Sequence, residues 1–278
     1  MTKGCAREWE RRYIGRHPFL FYNFYRLGSS HRNLLVDRSP QIIIEGFLHS
    51  GNTFAVAAFE QAQRESVRVA HHLHMQAQVI RATQWSIRIF LQARKPTDAA
   101  LSRVIGVPIP QALKHRGSFY EKAAEYGDAL VLGFFEDVTR DYGTVLERIN
   151  AKFGTGISSF VHSEDNVKCV LDRIEEEHCA MRGGRLDEKV RAHLSAVKVG
   201  LKVAQKKELE VPEVRKLTVR SRLRQLRAYG EPRTLRSRPY VVFYAAIDRS
   251  VYLVYGGVGQ RPAGGHRELM RPLQSSIS

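Results

Sequence analysis

The sequence predicts an α/β fold in which a parallel sheet is flanked by helices. Four apolar stretches, at residues 41–45, 67–70, 87–93 and 129–135, alternate with helical patterns. Continuous apolar strands separated by helices are typical of a parallel sheet that is buried on both faces. A glycine-bounded turn follows the first strand, and ligands of such sheets bind beyond the carboxyl ends of the strands. The first candidate site is therefore that turn.

The helical patterns complete the prediction for the first part of the chain. Residues 1–38 are basic and aromatic, which predicts a packed N-terminal helix or arm, with binding of single-stranded nucleic acid as the alternative. The apolar spacing then predicts helices at residues 53–63, 75–83, 97–105, 111–126 and 139–153. Glu136 and Asp137 precede the last of these and are interpreted as capping residues, although they could instead orient Thr53 or nearby histidines.

The pattern changes in the second part of the chain. Residues 165–203 predict one or two helices with a break near 182–185, and residues 210–229 predict a basic amphipathic helix. Two β-rich runs in residues 240–255 predict a hairpin, and residues 256–278 have a composition typical of disorder. We therefore predict an α/β domain at residues 1–204 and a basic extension at residues 205–278.

The turn after the first strand has the glycine spacing of a phosphate-binding P-loop, which predicts an arrangement like that of nucleotide kinases. Gly46 and Gly51 bound the turn, but Asn52 stands where the motif requires lysine. Backbone N–H groups at the positive end of a helix bind phosphate oxygens whatever the side chains are. The geometry indicates a nucleotide phosphate, while the missing lysine argues against ordinary ATP or GTP chemistry.

A second polar segment follows the strand at residues 87–93. Arg94 leaves the tip of that strand, Pro96 suits the first turn of a helix, and Asp98 favours the positive end of that helix. Ser102 lies about two turns further on. A guanidinium and a hydroxyl that converge there would bind a phosphate through charge-assisted hydrogen bonds.

These two segments together resemble the sulfotransferase family that uses 3′-phosphoadenylyl sulfate as its donor. The family loop reads roughly Pro-Lys/Arg-Ser-Gly-Thr-Thr and here stands as Leu48-His49-Ser50-Gly51-Asn52-Thr53. The resemblance implies that His49, Ser50, Gly51, Asn52 and Thr53 bind the 5′-phosphosulfate. It also implies that Arg94 and Ser102 bind the 3′-phosphate that distinguishes this donor from ATP. It covers about residues 40 to 160.

The resemblance also implies catalytic roles for His72 and His49, and His74 is the next candidate for the base. The family carries Thr-His-Leu-Pro after the second strand, with histidine as the general base, and His72-Leu73 aligns with that pair while His74 takes the proline position. His49 stands where the family has a Lys or Arg that neutralises the leaving phosphate oxygen, which histidine does only when protonated. A metal site and inert histidines are the alternatives for the cluster, and no metal is expected because no third ligand is evident nearby.

A basic glycine-containing loop lies over the 3′-phosphate in many members of the family. Arg182-Gly183-Gly184 is the candidate here, so Arg182 is a further expected donor contact. The alternative is a helix that ends at a C-cap glycine.

Composition limits the compartment and the partners. The chain of 278 residues has no apolar run long enough to span a membrane, no apolar signal region near its start, and three irregularly spaced cysteines, so we expect a cytoplasmic protein. Its net charge is +16, and residues 205–278 hold 15 Lys and Arg against 6 Asp and Glu, a net +9. A basic balance attracts nucleotides, acidic polymers and nucleic acid.

The sequence therefore predicts transfer of a sulfuryl group from 3′-phosphoadenylyl sulfate to a hydroxyl or amine of an acceptor. One alternative is an inactive protein of the same fold that binds nucleic acid or another acidic polymer through the basic extension. The other alternative is a nucleotide-dependent kinase, against which Asn52 counts. Residues 106–128 should contribute acceptor contacts, but no pattern there identifies the acceptor.

Overall fold

The computed structural model describes residues 13–27, 34–102, 108–181, 183–184, 196–227, 241–247 and 250–256. Its main sheet has four strands: β1 (Ile42–Gly46), β2 (Val69–His71), β3 (Arg88–Ala93) and β4 (Leu130–Phe134). All the neighbouring strands pair in parallel, in the order β2-β1-β3-β4. The prediction of a parallel α/β sheet flanked by helices is confirmed, and it is a P-loop-like arrangement in which a turn leads from β1 into a helix.

Ten α-helices lie in the described part of the chain. They are α1 (Pro18–Leu27), α2 (Asn52–Ala62), α3 (Gln76–Gln84), α4 (Pro96–Ser102), α5 (Ile109–Ala124), α6 (Phe135–Arg140), α7 (Tyr142–Phe153), α8 (Glu164–Ala180), α9 (Ala196–Lys206) and α10 (Pro212–Arg227). Short 3₁₀ turns at Ile14–Arg16, Gly127–Ala129 and Lys207–Glu210 complete the connections. No helix in these ranges is long and apolar enough to cross a membrane.

Helices cover both faces of the sheet, and β1 shows how the strand sequence produces this. Ile43 packs with the cluster formed by residues of α1, α3 and α5, whereas Ile42 and Ile44 pack with residues of α2, α7 and α8. Successive side chains of a strand point to opposite faces, so a run of three isoleucines serves two cores. Each buried isoleucine contributes about 1.5–3 kcal/mol through the hydrophobic effect.

One predicted element is divided in the structure. The sequence predicts a single helix at residues 139–153, but Asp141 separates α6 from α7 and caps α7, accepting a hydrogen bond from Thr144 N at 3.2 Å. Aspartate competes for backbone N–H groups in this way and therefore ends one helix and starts the next. Asp137 is a capping residue as expected, but it caps α6, where it accepts from Phe134 N at 3.2 Å.

The predicted basic extension contains an element that packs on the sheet domain. Helix α10 lies against α5, and Val214, Ser221 and Gln225 are buried there. The division of the chain at residues 204 and 205 stays a prediction. The predicted hairpin is present as two antiparallel strands, β5 (Val241–Ile247) and β6 (Ser250–Gly256). Residues 257–278, for which disorder was predicted, lie outside the described residues.

Candidate functional site

The turn between β1 and α2 is shaped by Gly51. Gly51 is the N-cap of α2 with φ of 95°, and a Cβ there would lie 2.7 Å from the ring of Phe135 and 2.8 Å from Gln92 Nε2. Only glycine adopts this positive φ without strain and leaves the space that a Cβ would fill. The first N–H groups of α2 have no partner within the helix and lie at the positive end of its dipole. This end of α2 is suited to an anion.

Arg94 joins the two segments that the sequence singled out. Its Nη1 donates to the backbone oxygen of His49 at 3.2 Å and to Ser102 Oγ at 3.3 Å. Its guanidinium carbon lies 4.0 Å from the centroid of the Phe135 ring. The turn after β1 and the helix after β3 therefore meet at one guanidinium, as expected for strand ends at the same edge of a parallel sheet.

A second cation, Lys202 of α9, joins this group although the sequence did not single it out. The pKa of Lys202 is lowered by burial and by the charge of Arg94, with Asp98 acting in the opposite direction. Burial also lowers the pKa of Arg94, while the carboxylates of Asp98 and Glu136 act to raise it. The charge of Arg94 disfavours the charged form of Lys202, and an anion bound beside them would favour it. No local sequence motif marks Lys202, because it reaches the site through tertiary packing.

Two predicted donor contacts turn their side chains into the protein. Ser50 is fully buried with Oγ 3.3 Å from Tyr120 Oη, and Asn52 Nδ2 donates to the backbone oxygen of Gly46 at 3.2 Å. The Ser50 backbone N–H also donates to the Phe47 carbonyl at 3.2 Å, so neither the side chain nor the N–H of Ser50 is left for a ligand. Arg182, the other predicted donor contact, lies outside the described residues.

Several buried polar atoms beside the turn have no hydrogen-bond partner in the described structure. These are Asn52 Oδ1, Arg94 Nε and both side-chain polar atoms of Gln92. A buried polar group without a partner costs about 1–3 kcal/mol, so such groups concentrate where a ligand or function requires them. Gln92 was missed from the sequence, although a signal existed: it is a polar residue inside the apolar run of β3.

Three of the predicted histidines share an unusual backbone conformation. His49, His72 and His74 have φ values of 62°, 62° and 55°, in the left-handed region. Histidine is among the residues that adopt this region most readily, yet each instance still costs free energy. The turns after β1 and β2 are thus both held in strained conformations.

His72, the predicted general base, has both ring nitrogens engaged. Nε2 lies 3.0 Å from Thr53 Oγ1, and Nδ1 is in contact with His71 Nδ1. Burial, followed by the neighbouring His71, His74 and His178, lowers the pKa of His72 to about 3. The ring is therefore neutral near neutral pH, but a group with so low a pKa is a weak proton acceptor.

His74 is arranged differently. Its Nδ1 lies 2.7 Å from the backbone oxygen of Gly46 and 3.5 Å from Glu45 Oε2. Glu45 is fully buried and accepts the backbone N–H groups of Leu73 at 3.0 Å and His74 at 3.1 Å. Asn52 Nδ2 lies 3.2 Å from the same nitrogen. Because the Gly46 carbonyl can only accept, we assign the proton to Nδ1, which leaves Nε2 as the accepting nitrogen.

A cavity of about 650 Å³ adjoins this histidine. His74 and Phe47 lie on its wall, and the rest of its lining comes mainly from α5 and the segment before it. A molecule in the cavity would thus meet the turn after β1 at Phe47. In the described ranges, no group of three or more His, Cys, Asp or Glu residues is arranged to hold a metal ion.

The geometry brings Arg94, Lys202 and the N-terminal end of α2 together at the carboxyl edge of a parallel sheet, an arrangement that is suited to an anion. No protein-family model and no curated protein matches the chain. Among solved structures, the chain is similar to mouse sulfotransferase SULT7A1 complexed with PAP, at 13% identity and a TM-score of 0.38. The similarity covers 68% of this chain and 94% of that one.

Proposed function

We propose that the protein transfers a sulfuryl group from 3′-phosphoadenylyl sulfate to a hydroxyl or amine of an acceptor. The observation that carries the proposal is the position of Arg94, whose Nη1 contacts both the His49 carbonyl and Ser102 Oγ. Those two contacts join the segments whose residues resemble the donor-binding motifs. A cation at this junction is suited to a phosphate that is held between them.

The residues around Arg94 fit a donor with two separate phosphate groups. The 3′-phosphate would lie with Arg94, Ser102 and Lys202, where it would relieve the repulsion between the two cations. The 5′-phosphosulfate would lie at the N–H groups of the turn and of the first residues of α2. The donor supplies the sulfuryl group, and this chain supplies the positions of its charges.

We assign proton removal from the acceptor to His74 rather than to His72. His74 has an accepting Nε2 and lies on the wall of the cavity, whereas both nitrogens of His72 are engaged. The acceptor oxygen forms a bond to sulfur as the bond from sulfur to the phosphate oxygen breaks, and the acceptor proton moves to His74 Nε2. The charge left on the bisphosphate is stabilised by the turn, with His49 contributing when it is protonated.

The kinase alternative finds no support at the turn. The Asn52 side chain occupies the motif position that requires lysine, and its amide donates to the Gly46 carbonyl instead of reaching out of the turn. Within the described turn, residues 47–51, the sequence contains neither lysine nor arginine. Stabilisation of the β- and γ-phosphates of ATP would have to come from elsewhere.

Binding of an acidic polymer remains a second candidate because of α10. Arg215, Lys216 and Arg220 are exposed on this helix and form a basic surface away from its contact with α5. Exposed cations of this kind bind phosphate or sulfate chains without sequence preference. A filter-binding assay with a salt titration tests this candidate, and an affinity that does not change with salt would exclude it.

Calorimetric titration of the full chain with 3′,5′-bisphosphoadenosine and with 5′-AMP tests the donor assignment. The bisphosphate should bind more tightly by about 10- to 100-fold, as expected for hydrogen bonds between charged groups that are worth about 1.5–3 kcal/mol. Arg94→Ala should remove most of that preference. Arg64→Ala, at an exposed position before β2, is the matched control. Equal affinities in the wild type would refute the proposal.

Sulfuryl transfer itself is tested with a donor that carries a radiolabelled sulfuryl group and a panel of alcohols, phenols, sugars and amines. Label that appears in an acceptor with the wild type but not with Arg94→Ala would support transfer at this site. A protein that binds the bisphosphate but labels none of the acceptor classes would support the interpretation of an inactive relative.

A further inference from the structure

The cavity beside His74 carries an excess of positive charge. Arg16, Lys114 and Arg224 lie on its wall with one carboxylate, Glu121. Glu121 pairs with Arg224, with 3.4 Å between Oε2 and Nε. The other two cations make no ion pair with a carboxylate in the described part of the chain. Arg16 contacts the hydroxyl of Ser118, and Lys114 is exposed.

The rest of the wall is mixed rather than apolar. Gln76, Gln111 and Ser118 share the wall with apolar residues that include Phe47 and Phe119, whose ring centroids are 6.1 Å apart. A pocket for a purely apolar acceptor would be lined mostly by apolar side chains with few polar groups. This wall is suited to a molecule that has a flat or apolar part together with hydroxyl and anionic groups.

We propose that this cavity binds an acceptor that bears both a hydroxyl and an anionic group, such as a carboxylate or a sulfate. Arg16 and Lys114 would contact the anionic group, and His74 would contact the hydroxyl. This inference rests on the proposed sulfuryl transfer, because it names the acceptor class for that reaction. It extends that function by predicting discrimination against neutral acceptors of the same shape.

The position of the cavity links it to the donor site. His74 belongs to the cavity wall, and its Nδ1 lies 2.7 Å from the carbonyl of Gly46, which begins the turn that holds the donor. Phe47, the next residue, is also on the wall. An acceptor in the cavity would therefore meet its base and the donor turn at the same edge of the sheet.

The test uses two probes of nearly equal shape, p-nitrophenyl β-D-glucuronide and p-nitrophenyl β-D-glucoside. Each is titrated into the full chain, with and without saturating 3′,5′-bisphosphoadenosine. The glucuronide should bind at least about tenfold more tightly, which is the effect of one or two hydrogen bonds between charged groups. Added salt should reduce the difference, because both cations are solvent-accessible.

Variants locate the effect. Lys114→Gln and Arg16→Gln should each weaken glucuronide binding by about threefold or more while leaving glucoside binding unchanged, since each removes one contact to the anionic group. Lys152→Gln, on α7 and outside the cavity wall, is the matched control and should change neither affinity. These substitutions are at exposed positions, so the fold should be retained.

The outcomes separate this inference from the proposed function. Equal binding of the two probes, no binding of the glucuronide, or a preference that survives both substitutions would overturn the anionic-acceptor assignment, even if the bisphosphate binds. A glucuronide preference that Lys114→Gln removes would support the cavity assignment, even if the bisphosphate fails to bind and the sulfuryl-transfer proposal falls.

Discussion

Arg116 of α5 donates a hydrogen bond from Nη2 to Gln225 Oε1 of α10 across 2.6 Å. The guanidinium is only 1% exposed, and it also donates to Ser221 Oγ at 3.4 Å and to the backbone oxygen of Arg94. Burial lowers the pKa of Arg116 to about 10. The charge is thus stabilised by neutral groups from α10 and from the end of β3, so α10 supports the segment that carries Arg94.

This contact predicts where the chain can be shortened. A chain that ends after residue 227 keeps α10 and should retain cooperative unfolding and bisphosphate binding. A chain that ends after residue 204 leaves Arg116 without Ser221 and Gln225 and exposes the surface under Val214. Removing the partners of a buried charge costs about 3–5 kcal/mol, so this chain should unfold at a lower denaturant concentration or be insoluble.

Chemical denaturation of the two shortened proteins measures the difference in stability. Similar midpoints would show that the boundary predicted from the sequence is a true domain boundary.

Gly46 should be irreplaceable for a packing reason. A Cβ at this position would lie 2.3 Å from the backbone oxygen of Gln92 and 2.8 Å from Asn52 Oδ1. Because the closest atom belongs to the backbone of β3, the strand must shift, and Gly46→Ala should cost about 1–3 kcal/mol of stability or more. Gly156→Ala, where a Cβ meets nothing within 4 Å, is the control and should stay within about 0.5 kcal/mol. Equal melting temperatures for the two variants would contradict the close contact between β1 and β3.

Lys202 should contribute to nucleotide affinity. Because its charge lies near Arg94 and Asp98, Lys202→Gln should weaken binding of 3′,5′-bisphosphoadenosine by about 3- to 10-fold and leave 5′-AMP nearly unchanged. Lys206→Gln removes an equal charge from an exposed position on the same helix and should have little effect. Calorimetry on both variants makes the comparison. An equal loss of affinity for the two nucleotides would mean that Lys202 acts only through the overall electrostatic field of the protein.

The sequence predicted the sheet from local patterns of apolar residues. It also predicted that the turn after β1 and the segment from Arg94 to Ser102 lie close together, because each follows a parallel strand. The apolar runs predicted the four strands, and the glycine spacing predicted the turn at residues 46–51, where Gly51 adopts φ of 95°. The same patterns could not show Lys202, Arg116 or the cavity. These depend on how α5, α9 and α10 pack, which is a long-range property with no fixed spacing. The resemblance implies His72 as the base, whereas the hydrogen bonds of each ring favour His74.

The two histidines should differ in their effect on turnover once an acceptor is found. His74→Gln should lower the rate by about 10²- to 10⁴-fold with little change in bisphosphate affinity, because it removes the proton acceptor and not a donor contact. His72→Gln should reduce the rate far less, since an amide can still bond Thr53. Single-turnover rates with the labelled donor measure both. A large loss with His72→Gln and normal turnover with His74→Gln would restore the role that the alignment implies.

His72 should also make the protein sensitive to mild acid. In the unfolded chain a histidine takes up a proton near pH 6.5, but in the fold the pKa of His72 is about 3. Between these values the unfolded state binds more protons, so stability falls as the pH falls, by up to about 1.4 kcal/mol per pH unit for this group. The pKa of His71 is also lowered, mainly by burial, and adds to the slope.

Urea unfolding at pH 7.5, 6.5, 5.5 and 5.0 measures this dependence in a window where few carboxylates titrate. His72→Gln does not titrate, so its stability should fall less steeply below pH 6.5 than that of the wild type. His17→Gln, at an exposed position, provides the matched comparison and should leave the slope as it is. Above pH 6.5 the neutral ring is present in both states, so the wild type should show no dependence from this group. Equal losses of stability for the wild type and His72→Gln as the pH falls would contradict the burial of the His72 ring. They would also contradict its contact with Thr53.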